Sequence, residues 1–308
     1  MKKTRISIIL ITLVALLASC ASGYDAQDPR YEGITQVALD VDQTLYSEEI
    51  VNIEANGRIT VGTLTRPIAA KENVPAVVML HGTGSNRDEA GNAYVYASRA
   101  MAAAGIASLR IDFVGSGDST ESYVDYNFKT AEEDAIAAKN YLKRVVGIDG
   151  KRIGIMGWSQ GGTNAITTAA KDKDFKSVVL WAGALDLTGV ADKNMYEEAK
   201  KQGYSTLEFD WRNPLPLGLG WFEDVYEGEN ILRYVEKIKA PILAINGEDD
   251  DVVPPQTGNM IKDFSSNEKS MQLIIPNADH TFNVFYENDL ETLSLTVGST
   301  IAWFKETL

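Results

Sequence analysis

The chain of 308 residues holds one cysteine, Cys20, and two histidines, His81 and His280. A lone cysteine excludes an intramolecular disulfide. Two histidines leave little freedom in choosing an imidazole base. Cations are also scarce: 29 lysines and arginines stand against 43 acids, a formal net charge of −14. Such a chain repels phosphate backbones and anionic lipid surfaces, which excludes nucleic acid as the expected partner. The apolar run Ile6 to Leu17 is too short to cross a bilayer. No internal repeat or low-complexity tract is present.

That apolar run fits a secretory signal instead. Lys2, Lys3 and Arg5 precede it, and Leu17-Ala18-Ser19-Cys20 closes it. The closing four residues resemble the lipobox of bacterial lipoproteins. The resemblance implies cleavage before Cys20 and a diacylglycerol on its thiol, so that membrane attachment comes from acyl chains. Ala21 follows, where an aspartate would retain some lipoproteins at the inner membrane, so an outer-membrane destination is favoured in a Gram-negative source. The expected organisation is a signal peptide over 1–19, a polar tether over 20–46, and one catalytic domain over 47–308.

Within that domain, Gly157-Trp158-Ser159-Gln160-Gly161 follows a short apolar run, Arg152 to Met156, and precedes a helix-compatible stretch of small residues. A strand turning sharply into a helix around a serine between close glycines is a nucleophile elbow. The glycines let the turn tighten and let the helix approach the sheet. His81 ends the strand-like run Ala76 to Leu80 and opens His81-Gly82-Thr83-Gly84, a turn suited to presenting a main-chain oxyanion donor. His280 follows the apolar strand Gln272 to Ile275 and is left as the base for Ser159. The triad's acid must lie between the two. Pro241 to Gly247 reads as a strand, and Glu248-Asp249-Asp250-Asp251 follows it. One of these four acids is expected against the imidazole, and the residues alone do not say which. A calcium loop would need alternating ligands and a glycine turn, which the run lacks.

From about Ile50 to Leu308 the chain resembles the α/β-hydrolases, in particular the small esterases that include the cinnamoyl (feruloyl) esterases. The resemblance rests on His81-Gly82-Thr83-Gly84, Asp112 to Ser119, the elbow, Gly247 to Pro254, and Asp279-His280. It implies that the catalytic acid is Asp250, three residues after the strand-terminal glycine. It also implies oxyanion donors at the backbone N–H groups of Thr83 and Gln160, and a structural turn at Asp112. No matching helix start or ribose acid accompanies the glycines of that turn, so it is not a dinucleotide site.

Asn56-Gly57 between two strands, near 50–55 and 59–66, predicts a hairpin. Strands at 76–80, 106–112, 152–157, 177–183, 241–246 and 271–275 then alternate with helices. That pattern predicts an α/β fold, a mostly parallel central sheet flanked by helices. Phe128, Ala131, Ala135, Ala138, Leu142 and Val145 recur at three- and four-residue steps, one buried helix face; Leu290, Leu293, Val297, Ile301 and Phe304 mark another. The stretch 185–238, after the sixth strand, breaks the alternation and reads as a small cap. Its aromatics, Trp211, Trp221 and Phe222 among them, either wall a pocket for short or aryl acyl groups or form the cap's own core. Trp158 is expected beneath the elbow.

The expected chemistry is ester hydrolysis on a small-molecule substrate through an acyl-enzyme, with no metal or organic cofactor. A peptidase or acyl-peptide hydrolase on the same machinery, acyl transfer, and a binding lipoprotein on an inactive scaffold are the alternatives.

Overall fold

Asn56 and Gly57 both adopt positive φ, 51° and 84°, the backbone that a two-residue hairpin turn requires. They join β1 (Tyr46–Ala55) to β2 (Arg58–Pro67), which pair in register from Ala55 opposite Arg58 to Tyr46 opposite Pro67. Both strands run a few residues beyond the spans read from sequence. The structure is a computed structural model that describes residues 24, 27–69, 73–209, 212–286 and 290–308.

The other sheet strands are β3 (Val74–Leu80), β4 (Ala107–Ile111), β5 (Ile148–Trp158), β6 (Phe175–Trp181), β9 (Ile242–Gly247) and β10 (Met271–Ile275). β7 (Tyr204–Leu207) and β8 (Leu215–Gly218) pair only with each other, antiparallel. The eight-stranded sheet runs β1-β2-β4-β3-β5-β6-β9-β10, with β1, β2 and β4 antiparallel neighbours and every later pair parallel. The fold is that of an α/β-hydrolase. Parallel strands covered on both faces must be apolar throughout, and all five residues from Ala76 to Leu80 are fully buried.

Strand order reverses at β3, because the next strand in sequence, β4, lies on one side of it and β5 on the other. Open α/β sheets place their ligand crevice outside the carboxyl ends of strands at such a switch point. The loop after β3 begins with His81, and the turn after β5 holds Ser159.

Helices α1 (Ala93–Ala103) and α8 (Glu291–Thr307) pack against one another, while α2 (Phe128–Leu142), α3 (Gln160–Lys171), α6 (Ile231–Val235) and α7 (Gln256–Phe264) form a second row. The face read from sequence on α2 is buried at Ala131, Ala135, Ala138 and Leu142, and Asn127 starts that helix with a reciprocal capping box to Thr130. On α8, Leu293, Val297, Ile301 and Phe304 are buried.

Part of the stretch expected to be a tether is docked on the domain. Tyr31, Ile34 and Leu39 are buried, Thr35 N–H donates to Ser299 Oγ at 3.1 Å, and Val37 N–H donates to Ser294 Oγ at 3.3 Å. The segment is held by these buried side chains and by backbone bonds to α8 hydroxyls, and its apolar residues are too irregularly spaced to read as a helix or strand. The lipobox and Cys20 lie outside the described residues. No described helix is long and apolar enough to cross a membrane.

Between β6 and β9 the chain builds the cap. It contains α4 (Lys193–Gln202), the β7–β8 hairpin and α5 (Leu219–Tyr226), and α6 leads back to the body of the domain.

Candidate active site

Ser159 sits between the end of β5 and the start of α3 with φ 54° and ψ −121°, a conformation that L-residues rarely adopt. Surrounding bonds hold it there. Its N–H donates to Trp181 O at 2.9 Å, and its carbonyl accepts from Gly162 N at 2.9 Å and Ala184 N at 3.1 Å. The flanking glycines are required by contact distance. A Cβ on Gly157 would stand 2.0 Å from Gly161 O, and one on Gly161 would stand 2.1 Å from Leu80 O. Beneath the turn, Trp158 is packed as expected against Tyr94, Trp181 and Phe282, and its Nε1–H donates to His280 O at 3.1 Å. The elbow strand is thereby tied to the loop that carries the second histidine.

His280 faces Asp250, with Nδ1 at 2.9 Å from Oδ2 and 3.1 Å from Oδ1. An ionised carboxylate only accepts, so Nδ1 carries the proton and Nε2 keeps its lone pair. Asp250 is buried, and its Oδ1 also accepts from Val252 N at 2.9 Å and Val253 N at 2.7 Å. Glu248, Asp249 and Asp251 are exposed. The four acids left open by the residues are thus separated by burial, and the one against the imidazole is Asp250. Asp279 shapes the histidine loop by accepting from Thr281 N at 2.7 Å and Asn283 N at 3.0 Å.

The turn after β3 is clamped on both sides of Thr83. Gly82 N–H donates to the Glu89 carboxylate, and Gly84 N–H donates to the Tyr123 hydroxyl at 3.2 Å. Thr83 N–H, between them, has no partner among the described residues. Gln160 is the first residue of α3, where helix N–H groups have no intrahelical acceptor. Its buried side chain accepts from Thr83 Oγ1 at 2.6 Å, which couples the two candidate oxyanion donors. His81 is fully buried, its Nδ1 2.8 Å from Gly82 O and its Nε2 accepting from Phe113 N at 3.1 Å. Burial lowers its pKa, and both ring nitrogens are occupied by backbone. It anchors the turn. The Asp112 turn is structural too: its carboxylate accepts from Arg87 N at 2.7 Å and Asp118 N at 3.0 Å and pairs with the Arg87 guanidinium.

Sequence reasoning missed Glu89, which holds φ 63°, ψ 179° and bonds Gly82 N–H, the Ser85 hydroxyl at 2.8 Å and Ala90 N–H at 2.8 Å. It missed Tyr123 and Arg212 as well. Tyr123 and Arg212 act through contacts between distant segments, and Glu89 through the folding of a single loop, and neither leaves a residue pattern.

Ser159, His280 and Thr83 open on one cavity of about 1290 Å³. Its apolar walls come from Val190, Leu207 and Phe209 of the cap and from Tyr123, Val252 and Phe285 of the body. Two side chains expected in this wall are elsewhere. Trp221 and Phe222 are fully buried and do not line the cavity; Trp221 meets Phe222 edge-on at 5.1 Å, and Phe222 stacks on Tyr196 at 5.7 Å. They form the cap's own core, because rings of this size gain most from full burial. Trp211 lies outside the described residues. The cavity is also roomier than short acyl groups alone would fill.

Residues 93–308 match the prolyl oligopeptidase family, Peptidase_S9. The match covers more than half of the chain, which therefore belongs to that family of α/β-hydrolases. An "Uncharacterized peptidase YuxL" of Bacillus subtilis is 25% identical over 248 residues, covering 77% of this chain and 36% of that protein. The chain thus spans about a third of that relative's length. Among solved structures, DcsB in complex with its substrate analogue superposes with a TM-score of 0.70 at 16% identity, covering 85% of this chain and 100% of that one. Est1E from Butyrivibrio proteoclasticus with bound ferulic acid gives 0.65 at 20% identity, covering 82% and 98%. At such identities these structures speak for the fold alone. By family and fold the chain is an α/β-hydrolase of the serine hydrolase type.

Proposed function

We propose that the chain is a serine carboxylic-ester hydrolase acting on short or aryl acyl esters. Ser159 Oγ attacks the ester carbonyl as His280 Nε2 takes its proton, and the N–H groups of Thr83 and Gln160 hold the oxyanion. His280 returns the proton to the departing alkoxide. Water, deprotonated by the same imidazole, then attacks the acyl-enzyme and releases the acid and free Ser159. Asp250 holds the imidazole in the required tautomer and stabilises its cation. The observation that carries this reading is the opening of a strained Ser159 and an Asp250-paired His280 on one apolar-walled cavity. The size of that cavity favours an aryl group over acetyl alone.

A peptidase is the second reading, favoured by the family match and the name of the Bacillus relative. The test is a side-by-side assay of the mature domain on aryl esters, feruloyl esters, acetylated sugars and aminoacyl amides. Labelling by a neutral fluorophosphonate runs in parallel. Turnover of esters above amides, with labelling abolished in Ser159→Ala, is expected. Preferential amide cleavage would move the assignment to the peptidase, and absent labelling would remove the hydrolase reading for Ser159. The proposed location is a bacterial membrane, the chain held by lipid on Cys20; the lipobox resemblance supports it.

A further inference from the structure

Among the described residues, the cavity wall carries one permanent cation, and nothing in the proposed ester chemistry uses it. Arg212 lines the cavity beside the turn that presents Thr83. A Cβ on Gly84 would stand 2.3 Å from Arg212 Nη1, so the guanidinium lies directly on the Gly84 backbone. Gly84 also holds φ 63°, and a side chain there would meet both strain and the guanidinium. Arg212 Nε donates to Asn213 O at 3.2 Å, and the head group sits 5.5 Å from the centre of the Phe209 ring. Its Nη1 and Nη2 have no hydrogen-bond partner, and it pairs with no carboxylate, among the described residues. Most of the other described arginines are matched to acids, as Arg58, Arg87, Arg99 and Arg110 are.

Among the described residues, Glu89 is the only carboxylate on the cavity wall, and it makes no ion pair with Arg212. One of its oxygens is held by Gly82 N–H, and the other by the Ser85 hydroxyl and Ala90 N–H. In a chain with 43 acids and 29 cations, a guanidinium left open beside the oxyanion turn is an unfilled place for an anion. Its planar fork matches a carboxylate through two parallel N–H···O bonds, and apolar walls beside it suit the carbon chain or ring that joins that carboxylate to the ester.

We propose that Arg212 selects substrates bearing a free carboxylate a few bonds from the scissile carbonyl, so that the preferred esters are half-esters or carboxy-substituted aryl esters. This rests on the serine-hydrolase reading of Ser159. The guanidinium binds the remote carboxylate and takes no part in bond making or breaking.

The test compares phenyl hydrogen adipate with its methyl-capped counterpart, phenyl methyl adipate, by phenol release. The two differ in a single remote charge. Wild-type protein should give the higher kcat/KM on the acid. In Arg212→Gln the acid-to-capped ratio should fall by about 10- to 100-fold, the range expected for loss of a charge-assisted pair. Arg212→Lys should restore part of it, and Arg212→Glu should favour the capped ester. A structural role alone would lower both esters together and leave the ratio where it was. A ratio unchanged within about threefold in Arg212→Gln, or an equal wild-type preference for both esters, overturns the proposal. Labelling of Ser159 by a neutral fluorophosphonate is measured on every variant. Loss of labelling in wild-type protein would instead strike the hydrolase reading, which keeps the two failures apart.

Discussion

Replacing Asp250 by asparagine isolates the one charge that the geometry assigns to orienting His280. Oδ1 of Asp250 accepts two backbone N–H groups, from Val252 and Val253, while Oδ2 faces His280 Nδ1 at 2.9 Å. In Asp250→Asn the amide has one acceptor and one donor to distribute. Two buried N–H groups left without an acceptor cost more than one altered contact to the ring, so the oxygen stays with the valines. The NH₂ group then points at Nδ1 and forces the imidazole proton to Nε2, where it faces Ser159 as a donor instead of an acceptor. Shape, volume and packing are retained, but the base is in the wrong tautomer. The same substitution in the well-studied serine protease triad lowers kcat about 10⁴-fold, and the same order is expected here, about 5.4 kcal/mol of transition-state stabilisation at 1.36 kcal/mol per tenfold. The assay is kcat on a p-nitrophenyl ester at neutral pH, with the melting temperature as a check on the fold. Asp249→Asn and Asp251→Asn, both at exposed positions, should stay within about threefold. A folded Asp250→Asn enzyme within tenfold of wild type would refute the reasoning, as would greater sensitivity at Asp249 or Asp251.

Ser159→Ala and His280→Ala should each lower kcat by about 10⁶-fold, with the double variant little worse because the pair works as a unit; fully additive losses would contradict this. Gly161→Ala puts a Cβ 2.1 Å from Leu80 O, so a loss of about 3 kcal/mol or more in denaturant titrations is expected, and a variant of wild-type stability would show that the elbow can relax. Two buried groups should bend the stability–pH curve in opposite senses. His81, its pKa lowered by burial, contributes stability present above its unfolded pKa near 6.5 and lost as pH falls through its folded value; Asp134, its pKa raised by burial to about 6, contributes stability at acid pH that is lost as pH rises from about 3.8 through about 6. Urea midpoints of His81→Asn and Asp134→Asn against wild type should therefore differ in slope with opposite sign. Cys20→Ser should leave the protein off the membrane or uncleaved at its signal, whereas wild type free in solution with an unmodified thiol would refute the anchor.

How far each site residue could be read from sequence depended on how local its constraint is. The elbow is local: Gly157 and Gly161 are glycines because backbone passes within contact distance, and strand, turn and helix follow in one short stretch. His280 was reached by counting, since the other histidine had a turn to open. Asp250 was ambiguous because a run of four acids has no internal period, and what separates them is burial in a loop closed by Ala278 O accepting from Asp249 N at 2.9 Å. The cap defeated the reading of Trp221 and Phe222, because aromatic composition does not reveal which side of a short helix faces inward. Arg212 and Glu89 were out of reach for a related reason. Gly84, which Arg212 meets, comes close to it only once the loop after β3 and the cap are assembled, while Glu89 reaches Gly82 seven residues back in the same loop through a positive-φ backbone that leaves no residue pattern.

The two histidines show where chemistry is decided once the fold is in place. His81 and His280 both follow strands of the same sheet, and both are close to the cavity that Ser159 enters. In His81 one nitrogen meets a backbone carbonyl and the other a backbone N–H, so the ring is neutral, fixed and without a free lone pair. In His280 one nitrogen meets a carboxylate, and Nε2 has no partner among the described residues. A ring whose two nitrogens are both consumed by backbone can only hold a turn in place. A ring braced at one nitrogen by a buried anion, with the other open to a cavity, can accept a proton and be stabilised while it carries it. What stands opposite each nitrogen therefore makes His81 an anchor for the oxyanion turn and leaves His280 as the residue able to act as base.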